Sequence, residues 1–150
     1  MIVAIDFGIT NTDVALSNKS QYKFFSIPSK NANESFIDEI ISLIDIDITE
    51  ISQIVVTGGK SNELNESFKG VNLTKISETD AIGYGTKEIY KIENEPFITL
   101  SCGTGTACIH HQDGQFSYIG GIAVGGGTIS GLSKAILDSS SLEEITDLAL

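Results

Sequence analysis

The chain has 150 residues, of which 41% are hydrophobic, and a formal net charge of −11 from 20 acidic residues against nine lysines. This length predicts about one domain with enough apolar residues to bury a core. The acidic balance and the lack of arginine argue against nucleic-acid and anionic-membrane partners, because both are bound through clustered cations.

The first residues carry no basic segment and no cleavage site, and no apolar run approaches the roughly 18 residues of a membrane span. Cys102 and Cys108 do not form a CxxC pair. Their strand-like surroundings favour reduced thiols over a disulfide or a zinc site. We therefore expect a cytoplasmic protein.

Three antiparallel strands are predicted at the N-terminus. Ile2 to Phe7 is a nearly continuous apolar run, which is typical of a strand covered on both faces. Gly8 to Thr12 predicts a tight turn, and residues 13–16 predict the returning strand. A third strand is predicted over residues 22–27, and Pro28 ends it because proline cannot donate to a strand ladder.

The middle of the chain alternates helices and strands. Asn31 or Asn33 can cap a helix whose apolar residues recur near the 3.6-residue period, namely Phe36, Ile37, Ile40, Ile41 and Ile44. A strand is expected at 51–56, a short helix around 61–68, an extended segment at 71–76 and a helix opening at Glu78. This order predicts an α/β fold.

A second set of elements begins at Phe97 and repeats the pattern of strand, Gly/Thr turn and strand. A hairpin is predicted at Asp113-Gly114 and a helix over residues 128–137. Nine of the 15 glycines fall between Gly103 and Gly131. Glycine loops with successive N–H groups and threonine hydroxyls form anion sites, so this stretch is a candidate phosphate-handling surface. The alternative is a β-rich segment with loose turns.

Two acidic residues are candidates for chemistry. Asp6 ends a strand directly before a Gly/Thr turn, where a carboxylate can hold Mg²⁺ directly or through water while turn amides meet phosphate oxygens. Asp6 could instead only cap its turn. Glu78 opens a helix and can accept a proton from a substrate hydroxyl. Ser77 with Asp80 is equally typical of a helix cap.

The pair His110-His111 falls on a predicted strand, where neighbouring side chains point to opposite faces. The two residues therefore cannot easily bind one metal ion. A surface or strand-pairing role is expected for both.

Four motifs in this order resemble the type II pantothenate kinases, members of the actin/hexokinase/Hsp70 ATPase superfamily. They are IDFGIT from Ile5, ETDA from Glu78, SCGTGTA from Ser101 and GGIAVGGGTISGL from Gly120. The resemblance implies an RNase H-like, actin-like ATPase lobe in residues 1–95. It also implies the first strands and helix of a second, incomplete lobe in residues 96–150.

The resemblance also implies ATP and Mg²⁺ as cofactors and Glu78 as the catalytic base. Asp6 would hold Mg²⁺, directly or through water. The implied phosphate loops comprise Asp6, Gly8, Thr10, Asn11 and Thr12 in the first, and Ser101, Gly103, Thr104, Gly105 and Thr106 in the second. We expect the two loops to face one another across a shared cleft.

Three departures from the family pattern concern the phosphates, in the case of Asp13, and the substrate, in the cases of Ala107 and Tyr118. Asp13 stands where the family usually has a lysine, Ala107 where it has a serine, and Tyr118 where it has an arginine that contacts pantothenate. Losing a cation that pairs with a carboxylate costs about 1.5–3 kcal/mol, which weakens pantothenate as the substrate more than it weakens phosphoryl transfer. The implied substrate positions are Thr104, Ala107, Tyr118, Gly121 and Gly126.

Kinases of this family are about twice as long as this chain. We therefore expect a fragment, or a reduced protein that pairs with a second copy or with a chain supplying the missing lobe. The predicted last helix and the apolar residues Leu142, Ile145, Leu148 and Leu150 would form such an interface. Two functional hypotheses follow. The first is a kinase acting on a small pantothenate-like metabolite, and this reaction would be the first step of coenzyme A synthesis if the substrate is pantothenate. The second is a non-catalytic lobe that binds nucleotide weakly or acts through a partner.

Overall fold

The computed structural model describes residues 1–18, 21–59, 61–139 and 141–149. The chain folds into two compact units, Met1–Ala81 and Ile82–Leu150. The division falls inside the helix that begins at Glu78. The lobe boundary expected near residue 95 stays a prediction.

The first unit is built on a six-stranded sheet with the order β3-β2-β1-β4-β6-β5. Its strands are β1 (Ile2–Phe7), β2 (Asn11–Asn18), β3 (Gln21–Pro28), β4 (Gln53–Thr57), β5 (Ser67–Phe68) and β6 (Val71–Lys75). The first three strands are antiparallel neighbours, as predicted. Strands β1, β4 and β6 run parallel to one another.

Helix α1 (Glu34–Leu43) covers one face of this sheet. Asn33 caps it, since the Asn33 side chain accepts a hydrogen bond from the Phe36 N–H at 2.9 Å. The buried residues shared between helix and sheet are Val3, Ile5, Phe7, Val14, Leu16, Phe36, Ile37, Ile40, Ile41, Ile54 and Val56. The expectation that β1 is covered on both faces is wrong, because α1 supplies only one layer and Ile2 on the other face is 40% exposed.

The helix expected around residues 61–68 is also wrong. Only a single 3₁₀ turn forms at Ser61–Glu63, and Ser67–Phe68 pairs antiparallel with β6. Lys69 and Gly70 between them both have positive φ, 47° and 84°, the backbone of a tight two-residue hairpin. Pairing with β6 and burial of the Phe68 ring therefore outweigh the local helical tendency.

The second unit contains a three-stranded antiparallel sheet made of β7 (Phe97–Cys102), β8 (Thr106–Gln112) and β9 (Gln115–Ile122). The predicted hairpin at Asp113-Gly114 is confirmed, with both residues at positive φ. The remaining helices are α2 (Glu78–Tyr90), α3 (Gly126–Leu137) and α4 (Leu142–Ala149). The Leu142 side chain and Leu150 lie outside the described residues.

None of the helices in the described ranges is both long enough and apolar enough to cross a membrane.

An aromatic cluster joins α2 to the second sheet. The Phe116 ring lies 4.8 Å from the Tyr84 ring and 4.9 Å from the His111 ring. His111 is 1% exposed, stacks on Phe97 at 4.7 Å and lies 3.2 Å from the Glu95 carbonyl through Nδ1. The strand position of His111 is confirmed, but a surface role is excluded because its ring is part of the cluster.

The packing of Gly83 in α2 against Phe116 gives a test of this cluster. A Cβ at Gly83 would lie 2.2 Å from a Phe116 ring carbon. We expect Gly83→Ala to lower the free energy of unfolding by about 1–3 kcal/mol through overpacking. Gly85 in the same helix has open space around it, so Gly85→Ala should raise that free energy by about 0.5–1 kcal/mol. Urea unfolding measures both changes, and a similar gain in the two variants would contradict the described packing.

Candidate active site

The carboxyl ends of β1, β4 and β6 lie at one edge of the first sheet because these strands are parallel and adjacent. Ligands of open α/β sheets bind beyond this edge. The register places Asp6 of β1 beside Thr57 of β4. After β6, the Ile76 N–H donates to the Val56 carbonyl at 2.9 Å. This hydrogen bond holds the segment that precedes Glu78 against the end of β4.

The turn after β1 is held by a residue that the sequence did not single out. The Ser29 hydroxyl donates to the Gly8 carbonyl at 2.5 Å and accepts from the Thr12 hydroxyl at 3.0 Å. The Ser29 N–H donates to the Thr10 carbonyl at 3.1 Å. A Cβ at Gly8 would lie 2.5 Å from the Asn11 carbonyl oxygen, so the turn requires glycine there. Thr12 is fully buried, and its hydroxyl stabilises the turn.

A second loop, Thr57-Gly58-Gly59, lies directly against the carboxylate of Asp6. Gly58 has φ +70°, and a Cβ there would lie 2.4 Å from Asp6 Oδ1 and 2.9 Å from the Phe7 carbonyl oxygen. Only glycine combines this conformation with this approach. In the sequence, Thr57-Gly58-Gly59 follows a predicted strand, but no role could be predicted for it. The position of this loop beside Asp6 depends on the pairing of β4 with β1.

Glu78 begins α2 without belonging to the helix cap. The Ser77 hydroxyl accepts from the Asp80 N–H at 3.0 Å and donates to Asp80 Oδ2 at 2.7 Å. The Ala81 N–H donates to the Ser77 carbonyl at 2.9 Å. The cap therefore explains why Ser77 and Asp80 stand at the start of α2, but it does not involve the Glu78 carboxylate.

Negative charge is concentrated around Asp6. Partial burial, then the charge of Glu78, then that of Asp13 raise the pKa of the Asp6 carboxyl above its ordinary value. Asp13 lies directly opposite Asp6 in the antiparallel register of β1 and β2. The structure thus places the predicted metal ligand and the predicted base within electrostatic range of one another, and Asp13 adds a third negative charge.

Mg²⁺ fits this edge as an ion held by one protein carboxylate. Within the described ranges, no three His, Cys, Asp or Glu side chains are grouped closely enough to hold a metal ion. Mg²⁺ commonly keeps several waters and uses one or two carboxylates together with substrate phosphates. The acidic surroundings of Asp6 and the buried, unpartnered hydroxyl of Thr57 are features that a hydrated cation would satisfy.

In the second unit, the two glycine-rich loops pack on one another through their backbones. A Cβ at Gly125 would lie 2.5 Å from the Gly105 carbonyl oxygen, and one at Gly127 would lie 2.6 Å from Thr104 Cγ2. The glycines are therefore needed for this close approach. The loops form one backbone-lined surface at the start of α3.

The hydroxyls of Thr106 and Thr128 bond within these loops. Thr106 Oγ1 donates to the Val124 carbonyl at 2.8 Å. Thr128 Oγ1 donates to the Ala123 carbonyl at 2.9 Å and accepts from the Gly125 N–H at 3.4 Å. Helix α3 begins at Gly126, two residues before the start predicted from the sequence.

The implied substrate positions fall into two groups. Ala107 pairs with Gly121 in the β8–β9 register, and a Cβ at Gly121 would lie 2.4 Å from the Tyr118 hydroxyl. Thr104 and Gly126 belong to the paired loops. Ser101 pairs with Ala107 across β7 and β8. Phosphate and substrate binding by these residues, and a shared cleft with the first turn, stay predictions.

Comparison with known proteins supports the resemblance drawn from the motifs. No sequence-family model matches the chain. A type II pantothenate kinase from Bacillus anthracis is 32% identical over 152 residues, which covers 97% of this chain and 52% of that relative. The chain spans about half the length of the curated relatives it matches. The resemblance to the type II pantothenate kinases is thus confirmed along nearly the whole chain.

Solved structures show the fold. A candidate N-acetylglucosamine kinase from Porphyromonas gingivalis matches with a TM-score of 0.63 at 15% identity, covering 91% of this chain and 56% of that one. The activator of 2-hydroxyisocaproyl-CoA dehydratase from Clostridium difficile, solved with bound ADPNP, matches with a TM-score of 0.61 at 19% identity, covering 91% and 52%. The predicted actin-like ATPase fold is confirmed.

The charge cluster at Asp6 predicts an unusual dependence of stability on pH. The pKa of Asp6 is raised in the folded protein, so ionised Asp6 destabilises the fold. The free energy of unfolding therefore decreases as pH rises from the unfolded pKa through the folded pKa of this carboxyl. We expect Asp6→Asn to raise the free energy of unfolding at pH 7 relative to wild type, and the gain to vanish near pH 3.

Asp47 provides a matched control of opposite sign. Hydrogen bonds from the Thr49 hydroxyl and N–H lower the pKa of Asp47, so its ionised form stabilises the fold above the unfolded pKa and this contribution is lost as pH falls. Asp47→Asn should therefore lower stability at pH 7. Urea unfolding between pH 3 and 7 measures both, and a loss for Asp6→Asn at pH 7 would contradict the charge cluster.

Proposed function

We propose that this chain, a relative of the type II pantothenate kinases, is part of an ATP-dependent small-molecule kinase that transfers the γ-phosphoryl group of ATP to a substrate hydroxyl. The observation that carries the proposal is that Asp6, at the end of β1, and the start of α2 with Glu78 both lie at the carboxyl edge of the first sheet, where the Ile76 N–H holds the segment after β6 to the Val56 carbonyl. One carboxylate is left out of the helix cap, and the other ends a strand before a tight glycine turn.

The two carboxylates would have different roles. Glu78 accepts the proton of the attacking hydroxyl, for which it must come within hydrogen-bond distance of that oxygen. Asp6 holds Mg²⁺ directly or through water. When bound, the ion neutralises charge on the transferring phosphate. Glu78 is the first residue of α2, and the side chains of Ser77 and Asp80 form the helix cap instead, which leaves the Glu78 carboxylate for this role.

Phosphate oxygens would be held largely by backbone N–H groups. The chain has no arginine, so no guanidinium fork can bind phosphate. In the first unit, the Gly8–Thr12 turn would supply such amides. In the second unit, the loops at residues 103–106 and 125–128 would supply them, apart from the Gly103 and Gly125 N–H groups, which bond within the loops, and the start of α3 adds the positive end of a helix dipole.

The acceptor is proposed to be a small hydroxylated metabolite, with pantothenate as the first compound to test because the relatives are named for it. Ala107, Tyr118 and Gly121 are close together, but none of them provides a positive charge for a carboxylate. A substrate with a weaker requirement for a cation therefore fits this part of the chain at least as well as pantothenate does.

A second candidate is a non-catalytic lobe that acts through a partner chain. Helix α3 has no buried residue within the described structure, and its apolar residues Ile129, Leu132, Ile136 and Leu137 are all about half exposed or more. Contiguous apolar surface of this kind usually marks an interface. The partner would be a second copy or a chain that supplies the rest of the second lobe.

We expect the chain to self-associate at micromolar concentrations, which light scattering would detect. The double variant Leu132→Glu/Ile136→Glu should weaken association because it places charge in the apolar surface of α3. Leu43→Glu, at an isolated exposed position at the end of α1, should leave association unchanged. A monodisperse wild-type monomer would contradict the interface.

Glu78→Gln separates an active enzyme from a non-catalytic relative. The substitution keeps the size of the side chain and removes the base. It should lower turnover by roughly 10²- to 10⁴-fold with little change in nucleotide affinity or melting temperature. Asp80→Asn is the matched control, since it removes a negative charge from the first turn of α2 and should cost about 0.3–1 kcal/mol of stability without a comparable loss of turnover.

The assay measures ADP release with pantothenate and with a panel of hydroxylated metabolites. Undiminished turnover of Glu78→Gln would remove Glu78 from the mechanism. A wild type without turnover on any of these compounds would favour the non-catalytic candidate.

A further inference from the structure

We infer that the Thr57 hydroxyl is a ligand-positioning group, which donates a hydrogen bond to an oxygen atom held at Asp6, either a water bound to Mg²⁺ or a phosphate oxygen. This inference rests on the proposed function and adds a residue to it. Neither the sequence motifs nor the names of the relatives assign a role to Thr57.

The sheet register places Thr57 on the same side as Asp6. The preceding pair of β1 and β4 is Ile5 with Val56, and both are buried in the core against α1. Side chains alternate along a strand, so the next pair, Asp6 with Thr57, points to the other face. Thr57 thus lies beside the Asp6 carboxylate and away from the apolar core.

The Thr57 hydroxyl has no partner of its own. Thr57 is 8% exposed. Its Oγ1 is buried and makes no hydrogen bond, and no other buried side-chain oxygen or nitrogen in the described part of the chain lacks a partner. A buried hydroxyl without a partner costs free energy, and valine has the same shape without that cost. Such a group calls for an explanation, commonly a bound water or ion.

A neighbouring threonine shows that the fold can satisfy a buried hydroxyl. Thr12, on β2, is fully buried, and its hydroxyl bonds to Ser29 at 3.0 Å. The same residue type is therefore satisfied on β2 and unsatisfied on β4. Both threonines lie at the carboxyl end of β1, since Thr12 pairs with Phe7 and Thr57 pairs with Asp6. The difference is the side-chain partner, which Ser29 supplies to Thr12 and which a ligand would supply to Thr57.

The loop after Thr57 ties its position to that of Asp6. Gly58 approaches Asp6 Oδ1 so closely that a Cβ would lie 2.4 Å away. Asp6 in its ionised form only accepts hydrogen bonds, whereas the Thr57 hydroxyl can donate one. A phosphate oxygen could accept from Thr57, and a metal-bound water, which donates readily to Asp6, would be a weaker acceptor of the same hydrogen bond. Both ligands use the donor that the fold leaves unpaired.

Thr57→Val and Thr12→Val make a matched pair for the test. In the free protein, Thr57→Val should leave the urea midpoint unchanged or raise it, whereas Thr12→Val should lower it. For Mg·ATP, measured by calorimetry, Thr57→Val should raise Kd about 5- to 20-fold, the loss of one hydrogen bond. Thr57→Ser keeps the hydroxyl and should retain most of the affinity.

A Mg²⁺ titration without nucleotide distinguishes the two ligand atoms. Weaker Mg²⁺ binding by Thr57→Val indicates a metal-bound water, and an effect seen only with Mg·ATP indicates a phosphate oxygen. A destabilisation of the free protein as large as that of Thr12→Val overturns the inference, because the hydroxyl would then already be bonded. Unchanged Mg·ATP affinity in Thr57→Val overturns it while the proposed function stands. A wild type that does not bind Mg·ATP overturns both.

Discussion

The parallel pairing of β1, β4 and β6 is the constraint on which the candidate site depends. Because Ile5 and Val56 form a buried pair in this register, the next pair must place Asp6 and Thr57 on the opposite face. A slip of one residue would bury the carboxylate and expose Ile5. The packing of α1 on the sheet therefore fixes the geometry of a site to which α1 contributes no residue.

The site itself stabilises the protein poorly. A carboxylate whose pKa is raised by burial and by two other acids and an unpartnered buried hydroxyl each cost free energy. By contrast, Ser77 and Asp80 form the cap of α2 with ordinary hydrogen bonds. Groups that destabilise an otherwise well-packed fold are expected at functional sites, where residues are retained for function and not for stability.

Features that depend on neighbouring residues in the chain were predictable from the sequence. The Asn33 cap, the apolar face of α1 and the turn at Asp113-Gly114 follow from local patterns. The strand at Ser67–Phe68 did not, because it depends on pairing with β6 and on burial of the Phe68 ring. The role of Thr57 was equally inaccessible, since its neighbour Asp6 is 51 positions away in the sequence and is brought beside it only by the sheet.

The acidity of the site bears on how a nucleotide could bind there. Asp6, Asp13 and Glu78 repel phosphate, and the Thr12 hydroxyl is used to hold the turn. These four described side chains therefore offer phosphate little attraction of their own. Under the proposed function, a divalent cation is needed to bring the phosphates to Asp6, before any phosphoryl group is transferred. Asp13 strengthens this requirement, because it adds negative charge directly across from the carboxylate that would hold the ion.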